Sequence, residues 1–321
     1  MKRMTLQKNN STKTIQEGFK EFYRFCRVKN LSEPTLTYYQ ETLDTFQNFY
    51  PLSNQISTIN KTITDDYVLF LKNNSNMNDI SINTKIKGLR TILYYFMELE
   101  YMDNFKIKLM MAQKKIKETY TDAELKLLLK KPNLKQCGFA EYRDWTIVNY
   151  LLGTGNRVDT IVNVRIKDID FESGYIKLDK TKNKRQQLIP LSNVLAKVLT
   201  EYLQYRDGEK EDYLFVSVYG AKLNGNSLGH SIKKYNQRRG VLKTSVHLFR
   251  HTFAKKWILN GGDIFRLQKI LGHSTLDIVR EYVNMFGEDL QKDYDKFNAL
   301  EQMTEVSKHT MVKPSKMGSM R

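Results

Sequence analysis

Apolar residues recur at three- and four-residue steps through nearly the whole of the first hundred positions. That spacing fits amphipathic helices and fits no sheet. Residues 14–28 place Ile15, Phe19, Phe22, Tyr23 and Cys26 on one stripe. A second segment opens at Glu33-Pro34, with proline suited to a first helical turn, and continues through Leu36, Tyr39, Leu43, Phe46 and Phe49. A third covers about 63–73 and a fourth about 81–101. Four such segments with short connections predict a small helical bundle, with the aromatic residues as its core.

Residues 103–120 are basic, lack a clean stripe and read as a linker. Thr121 and Glu124 then offer a capping box ahead of Leu125, Leu127, Leu128 and Leu129, so a second domain starts there. It is mixed. A helix over about 140–153 precedes three short strands, Val164–Ile169, Tyr175–Leu178 and Gln187–Leu191. Helices resume over 192–206, 226–238, 247–259, 263–271 and 275–285, and Asn260-Gly261-Gly262 supplies helix-ending chemistry between two of them. The expected class is mainly α with a small β-sheet.

Composition narrows the function. The chain has 321 residues, 52 Lys and Arg against 35 Asp and Glu, and a net charge of +17. Residues 1–118 carry 18 basic and 12 acidic side chains, and the remainder 34 and 23, so the excess is spread over both domains. A polyanion contacted along the whole molecule accounts for that spread; solubility alone is the plainer alternative. No apolar run is long enough for a membrane span and the amino terminus lacks a secretory signal. Two distant cysteines, Cys26 and Cys137, exclude a disulfide framework and point to a reducing cytoplasm. No Cys/His cluster has zinc spacing.

Chemistry concentrates in residues 247–282, HLFRHTFAKKWILNGGDIFRLQKILGHSTLDIVREY. His247 and Arg250 sit three apart on one helix face, His273 follows a glycine, and Tyr282 comes nine residues later. His251, beside Arg250, reads as a packing residue or one behind the site. Upstream, Thr154-Gly155-Asn156-Arg157 ends an apolar helix, which carries Arg157 toward the interior, where a guanidinium wants an anion. Lys180, Lys182, Lys184 and Arg185 share one basic turn between two strands.

HLFRH, LGHS and the following tyrosine resemble the carboxyl-terminal signature of the tyrosine recombinases, the lambda integrase and Xer class. TGNR and TKNKRQQLIPL resemble the family's arginine and β-turn lysine motifs, and SINTKIKGLRTILYYF resembles a helix of its core-binding domain. The likeness covers residues 12–300. It implies a flexible start at 1–11, a helical, SAM-like core DNA-binding domain at 12–102, the linker 103–120, an α+β catalytic domain at 121–304 and a flexible tail at 305–321. It also implies a site-specific DNA recombinase, an integrase of a mobile element, in which Tyr282 is the nucleophile. Arg157, Arg250 and His273 would serve the phosphate, His247 would accept the tyrosine proton and also bond a phosphate oxygen, and Lys182 would serve the leaving group. Lys85, Lys87, Arg90, Lys180, Lys184 and Arg185 would contact DNA. No cofactor and no metal are expected, because one phosphoester replaces another and the arginines carry the charge work.

The implied partners are double-stranded DNA with specific sites, three further copies in a tetramer on two sites, and an accessory directionality factor; no membrane is involved. The expected location is cytoplasmic, on the nucleoid. Helical periodicity after Tyr282 fits packing on a neighbouring protomer or folding back in cis. Little chain precedes the first helix, so no separate arm-binding domain is expected. Two departures stand out. Thr160 holds the place of the family's usual acid, with Asp159 one residue earlier, and Asn156 replaces an apolar residue. Competing readings are an Xer-type resolution recombinase, a type IB topoisomerase and a DNA-binding module without strand transfer.

If the distributed charge is a DNA footprint, affinity should fall steeply with salt. About 6–10 phosphate contacts would lose roughly 10³–10⁵ in affinity between 50 and 200 mM salt, measured by titration of labelled duplex. A shallow slope would assign the charge to solubility.

Overall fold

The computed structural model describes residues 13–112, 118–178, 186–272, 275–276, 280, 282, 294, 298–301 and 303. The chain forms two compact units, Met1–Lys115 and Ile116–Arg321. The first holds α1 (Ile15–Val28), α2 (Glu33–Gln47), α3 (Lys61–Asn74) and α4 (Asp79–Glu98). Local chemistry sets their ends. Thr14 and Glu17 close a capping box on α1, Pro34 lies in the first turn of α2, and Asn60 and Asn78 accept from Ile63 and Ser81 N–H groups at the starts of α3 and α4. The fourth helix was expected over 81–101. The Asn78 cap starts it earlier, and Glu100, at φ 57°, turns the chain out of the helix sooner.

α4 packs against the other three helices. Phe22, Phe46, Ile92, Leu93 and Phe96 are fully buried between them, each worth about 1.5–3 kcal/mol of transfer from water. On the same helix Lys87 is exposed, while Lys85 and Arg90 are half-buried and Lys85 donates to the Glu41 carbonyl at 3.3 Å. The described parts of 103–120 contain no helix. Ile107 is buried in the core of the first unit and Tyr120 in that of the second.

The second unit comprises α5 (Asp122–Leu129), α6 (Phe139–Thr154), α7 (Val158–Ile161), β1 (Ile169–Asp170), β2 (Tyr175–Leu178), β3 (Gln187–Pro190), α8 (Asn193–Tyr205), α9 (Gly225–Arg238), α10 (Val246–Leu259) and α11 (Ile264–Leu271). The Thr121–Glu124 capping box opens α5 as its sequence predicts. α6 is the buried axis, packed by α5, α8, α9 and α10. The antiparallel sheet runs β1-β2-β3, with Ile169, Ile176 and Ile189 in register on its buried face.

The first strand is a correction. The expected Val164–Ile169 strand shrinks to Ile169–Asp170, because the Arg165 N–H donates to the Asp168 carboxylate at 2.8 Å and closes a 3₁₀ turn over Ile166–Asp168. The turn holding Lys180, Lys182, Lys184 and Arg185, both chain ends, and most of the expected 275–285 helix and the segment after it lie outside the described residues.

One buried polar knot ties α6 to α9. Arg143 donates to Asp144 Oδ1 at 2.9 and 2.7 Å, to the Val216 carbonyl at 2.9 Å and to Ser231 Oγ at 2.8 Å. Ser231 donates to Asp144 Oδ2 at 2.6 Å. Burial pushes the Asp144 carboxyl pKa up even though Arg143 and Ser231 pull it down, so the pair only partly offsets its desolvation. Removing one partner is a different matter. Asp144→Asn strands the Arg143 charge and should cost about 3–5 kcal/mol, read as a shift in the urea midpoint of the full chain.

Candidate active site

The site begins where α6 stops. Gly155 closes that helix in the left-handed conformation at φ 64°, with its N–H on the Leu151 carbonyl at 2.9 Å. A Cβ there would lie 2.6 Å from Phe253 and 2.9 Å from Leu271, so glycine is required on two counts. Asn156 turns inward and donates to the Tyr150 hydroxyl at 3.0 Å, which accounts for a polar residue at this buried place. Arg157 follows, half-buried, at the head of α7.

α10 brings Arg250 to the same place. Its guanidinium, 6% exposed, donates to the Gly155 carbonyl and the Leu271 carbonyl, both at 2.8 Å. Arg157 reaches the same Leu271 oxygen at 3.3 Å. Leu271 ends α11 and Gly272 closes it in the left-handed conformation. The last carbonyls of a helix lack intrahelical partners and carry the negative end of its dipole, so this oxygen suits two cations. Gln187 of β3 donates to the Lys269 carbonyl at 3.2 Å and to that of Ile270, fastening the sheet to the same helix end.

Tyr282 completes the cluster. It is 2% exposed, packed with Ala254, Leu267 and Leu271. Its hydroxyl lies 2.8 Å from Nδ1 of His251, and the two rings are 5.6 Å apart. Burial, and then the like charge of Arg157, push the Arg250 guanidinium down to about 10, with Tyr282 pulling the other way. Burial also lowers Arg157, opposed by the charges of Tyr282 and Asp159. Both remain cations at neutral pH. Two guanidinia held together in a desolvated place are stabilised by an arriving anion, and a planar fork matches phosphate oxygens.

The structure thus brings together Arg157, Arg250 and Tyr282, which lie far apart in sequence. His247 lies exposed in the first turn of α10, on the helix that carries Arg250. His273 and Lys182 lie outside the described residues. His251, which the sequence places in the packing or behind the site, has its ring on the Tyr282 hydroxyl. Its four-residue spacing from His247 puts both on one helix face, which is the signal that could have moved it closer to the chemistry. The displaced acid acts by charge alone: Asp159 is exposed, and main-chain oxygens hold the arginines. Among the described residues no group of three His, Cys, Asp or Glu could hold a metal, and no helix is long and apolar enough to cross a membrane.

Residues 118–288 match the profile of the Phage integrase family. A tyrosine recombinase of Pseudothermotoga lettingae is 26% identical over 292 residues, covering 90% of this chain and 98% of that protein. Tyrosine recombinase XerC of Staphylococcus aureus is 27% identical over 288 residues, covering 87% and 95%. The Tn1549 transposon integrase, solved in complex with a circular intermediate DNA, superposes with a TM-score of 0.71 at 20% identity over 84% of this chain and 94% of that one, which shows a shared fold. The chain belongs to the phage integrase family, whose members are tyrosine-type site-specific DNA recombinases.

Gly155→Ala should damage both stability and chemistry. A side chain in the left-handed region costs about 1–2 kcal/mol and forced overpacking about 1–3 more. Urea unfolding and formation of covalent protein–DNA adduct would both report the loss. Gly138→Ala, with nothing within 4 Å of the new Cβ, should report neither.

Proposed function

We propose that the chain cuts and rejoins DNA through a 3′-phosphotyrosine on Tyr282, at specific sites, in the service of a mobile element. The convergence of Arg157 and Arg250 on one carbonyl beside the Tyr282 hydroxyl carries this reading. The phenol oxygen attacks phosphorus, the bond to the 5′-oxygen breaks, and a 5′-hydroxyl leaves. Charge builds on the non-bridging oxygens, where the two guanidinia bind. A well-placed donor of this kind is worth about 2.7–4 kcal/mol in the transition state. His247, in the first turn of α10, adds an imidazole where unpaired helix amides also favour phosphate. His273 donates to the phosphate and Lys182 protonates the leaving oxygen. Because phosphoester energy is conserved, no cofactor and no metal enter the scheme.

Lys85, Lys87 and Arg90 of the helical unit, and Lys180, Lys184 and Arg185 of the β-turn, hold the DNA backbone in this proposal. The helical unit serves as the core-binding domain and the second unit as the catalytic one, with DNA the shared partner. Four copies assemble on two sites in the cytoplasm, with strand exchange in pairs and an accessory factor setting direction. The Tn1549 integrase, bound to a circular intermediate DNA, supports the mobile-element role. The XerC relative, covering 87% of the chain, favours a second reading, resolution of DNA dimers. Transfer of a marked circle into a chromosome, against resolution of a dimeric plasmid, separates the two.

Tyr282→Phe should bind site DNA with nearly wild-type affinity and form no covalent adduct on a denaturing gel; an adduct would place the nucleophile elsewhere. Lys182→Ala should cleave a substrate with sulfur at the bridging 5′ position almost as fast as the wild type, because a thiolate leaves without a proton. Arg157→Ala and Arg250→Ala should show no such rescue, and selective rescue at Lys180 or Lys184 would move the general acid to that residue.

A further inference from the structure

A phenol must lose its proton to attack phosphorus, and the surroundings of Tyr282 limit where that proton can go. The side chain is 2% exposed, so bulk water has little access to it. The groups that act on its hydroxyl include the guanidinia of Arg157 and Arg250 and the imidazole of His251. A guanidinium has five N–H donors and no acceptor, so it favours the phenolate but cannot take the proton. An imidazole has a nitrogen lone pair. Nδ1 of His251 lies 2.8 Å from the hydroxyl, inside the range for direct proton transfer.

We infer that His251 is the catalytic base for Tyr282, and that His247 serves the phosphate instead. The two histidines share one face of α10, four residues apart, so spacing alone does not choose between them. The contact to the nucleophile does. The inference deepens the proposal above and rests on its assignment of Tyr282 as nucleophile.

The step balances without any added reagent. In the reacting tautomer Nδ1 of His251 carries the lone pair and Nε2 the hydrogen. Nδ1 takes the phenol proton as the Tyr282 oxygen bonds to phosphorus, while the 5′-oxygen departs with a proton from the general acid. In the return step a 5′-hydroxyl attacks the phosphotyrosine and gives its proton back to the general acid, the phosphorus–phenol bond breaks, and the imidazolium returns its proton to the tyrosine. Charged groups that face the phenol include Arg250 from α10 and Arg157 from the head of α7. Both stabilise the phenolate side of the transfer.

The test uses the full chain and a nicked duplex whose cleaved fragment diffuses away. The duplex sequence is selected from a random pool by covalent capture on the wild-type protein. His251→Ala should lower the rate of adduct formation by about 10²–10⁴, the usual worth of a general base, with duplex affinity within a few-fold of wild type. Added imidazole should restore the rate, and substituted imidazoles should restore it in order of their basicity. His251→Asn keeps a polar group near the hydroxyl but no base, and should stay slow. In the wild type the rate should fall as pH drops through the imidazole range, and His251→Asn should lose that acid limb.

Near-wild-type cleavage by either variant overturns the inference. So does rescue that ignores the basicity of the added imidazole, or basicity-dependent rescue of His247→Ala. Should His251→Ala fail to bind duplex, the rate and pH profile of His251→Asn decide alone. Failure of the wild type to capture any duplex, or capture by Tyr282→Phe, would instead overturn the underlying assignment of the nucleophile.

Discussion

Two positive charges share one oxygen in the second unit of this protein. Arg157 and Arg250 both donate to the carbonyl of Leu271, and each pays in desolvation for being there. Left alone, like charges in such a place repel. They stay because the oxygen closes α11, where unsatisfied carbonyls and the helix dipole provide a negative focus. Much of the second unit serves this focus. α6 ends at a glycine whose own carbonyl takes the other arm of Arg250, β3 sends Gln187 to the neighbouring carbonyls, and Tyr282 packs against Leu271 itself. On the proposed reading the phosphate site is built before any phosphate arrives, which is the condition for electrostatic catalysis without reorganisation.

The helical unit is simpler. Its core is aromatic and its caps are local. Its basic residues on α4 are exposed or half-buried, without a comparable buried charge. The difference fits the proposed division of labour. Holding a DNA backbone needs charge near water, where it costs little to keep; reacting at one phosphorus needs charge away from water, where each ion is worth more.

Much of this was legible in the sequence. The four helices of the first unit followed from three- and four-residue apolar steps, and the Thr121–Glu124 cap from residue type at a fixed offset. Arg157, Arg250 and Tyr282 stood out because their motifs have fixed order and spacing, although nothing local says that they meet. The first strand failed because alternating residues around Val164 satisfy a strand pattern, while a single carboxylate, that of Asp168, bends the backbone into a 3₁₀ turn. His251 reads as packing or as lying behind the site for a related reason: periodicity gives a helix face, and two histidines four apart share it. The acceptors of the arginines were invisible altogether, since a main-chain oxygen leaves no letter in the sequence.

That invisibility bears on how such a site changes over time. A carboxylate that orients an arginine is lost by one substitution. A carbonyl belongs to every residue, so most replacements of Leu271 that keep α11 packed leave the acceptor in place. The vulnerable letter is glycine at 155, where backbone shape rather than side-chain chemistry is encoded. Side-chain replacements can then accumulate around a backbone acceptor without removing it. Thr160 stands here where the family resemblance leads one to expect an acid, and a relative matched over 90% of the chain is only 26% identical, yet the oxygen that gathers the two charges in this protein needs no particular side chain to supply it.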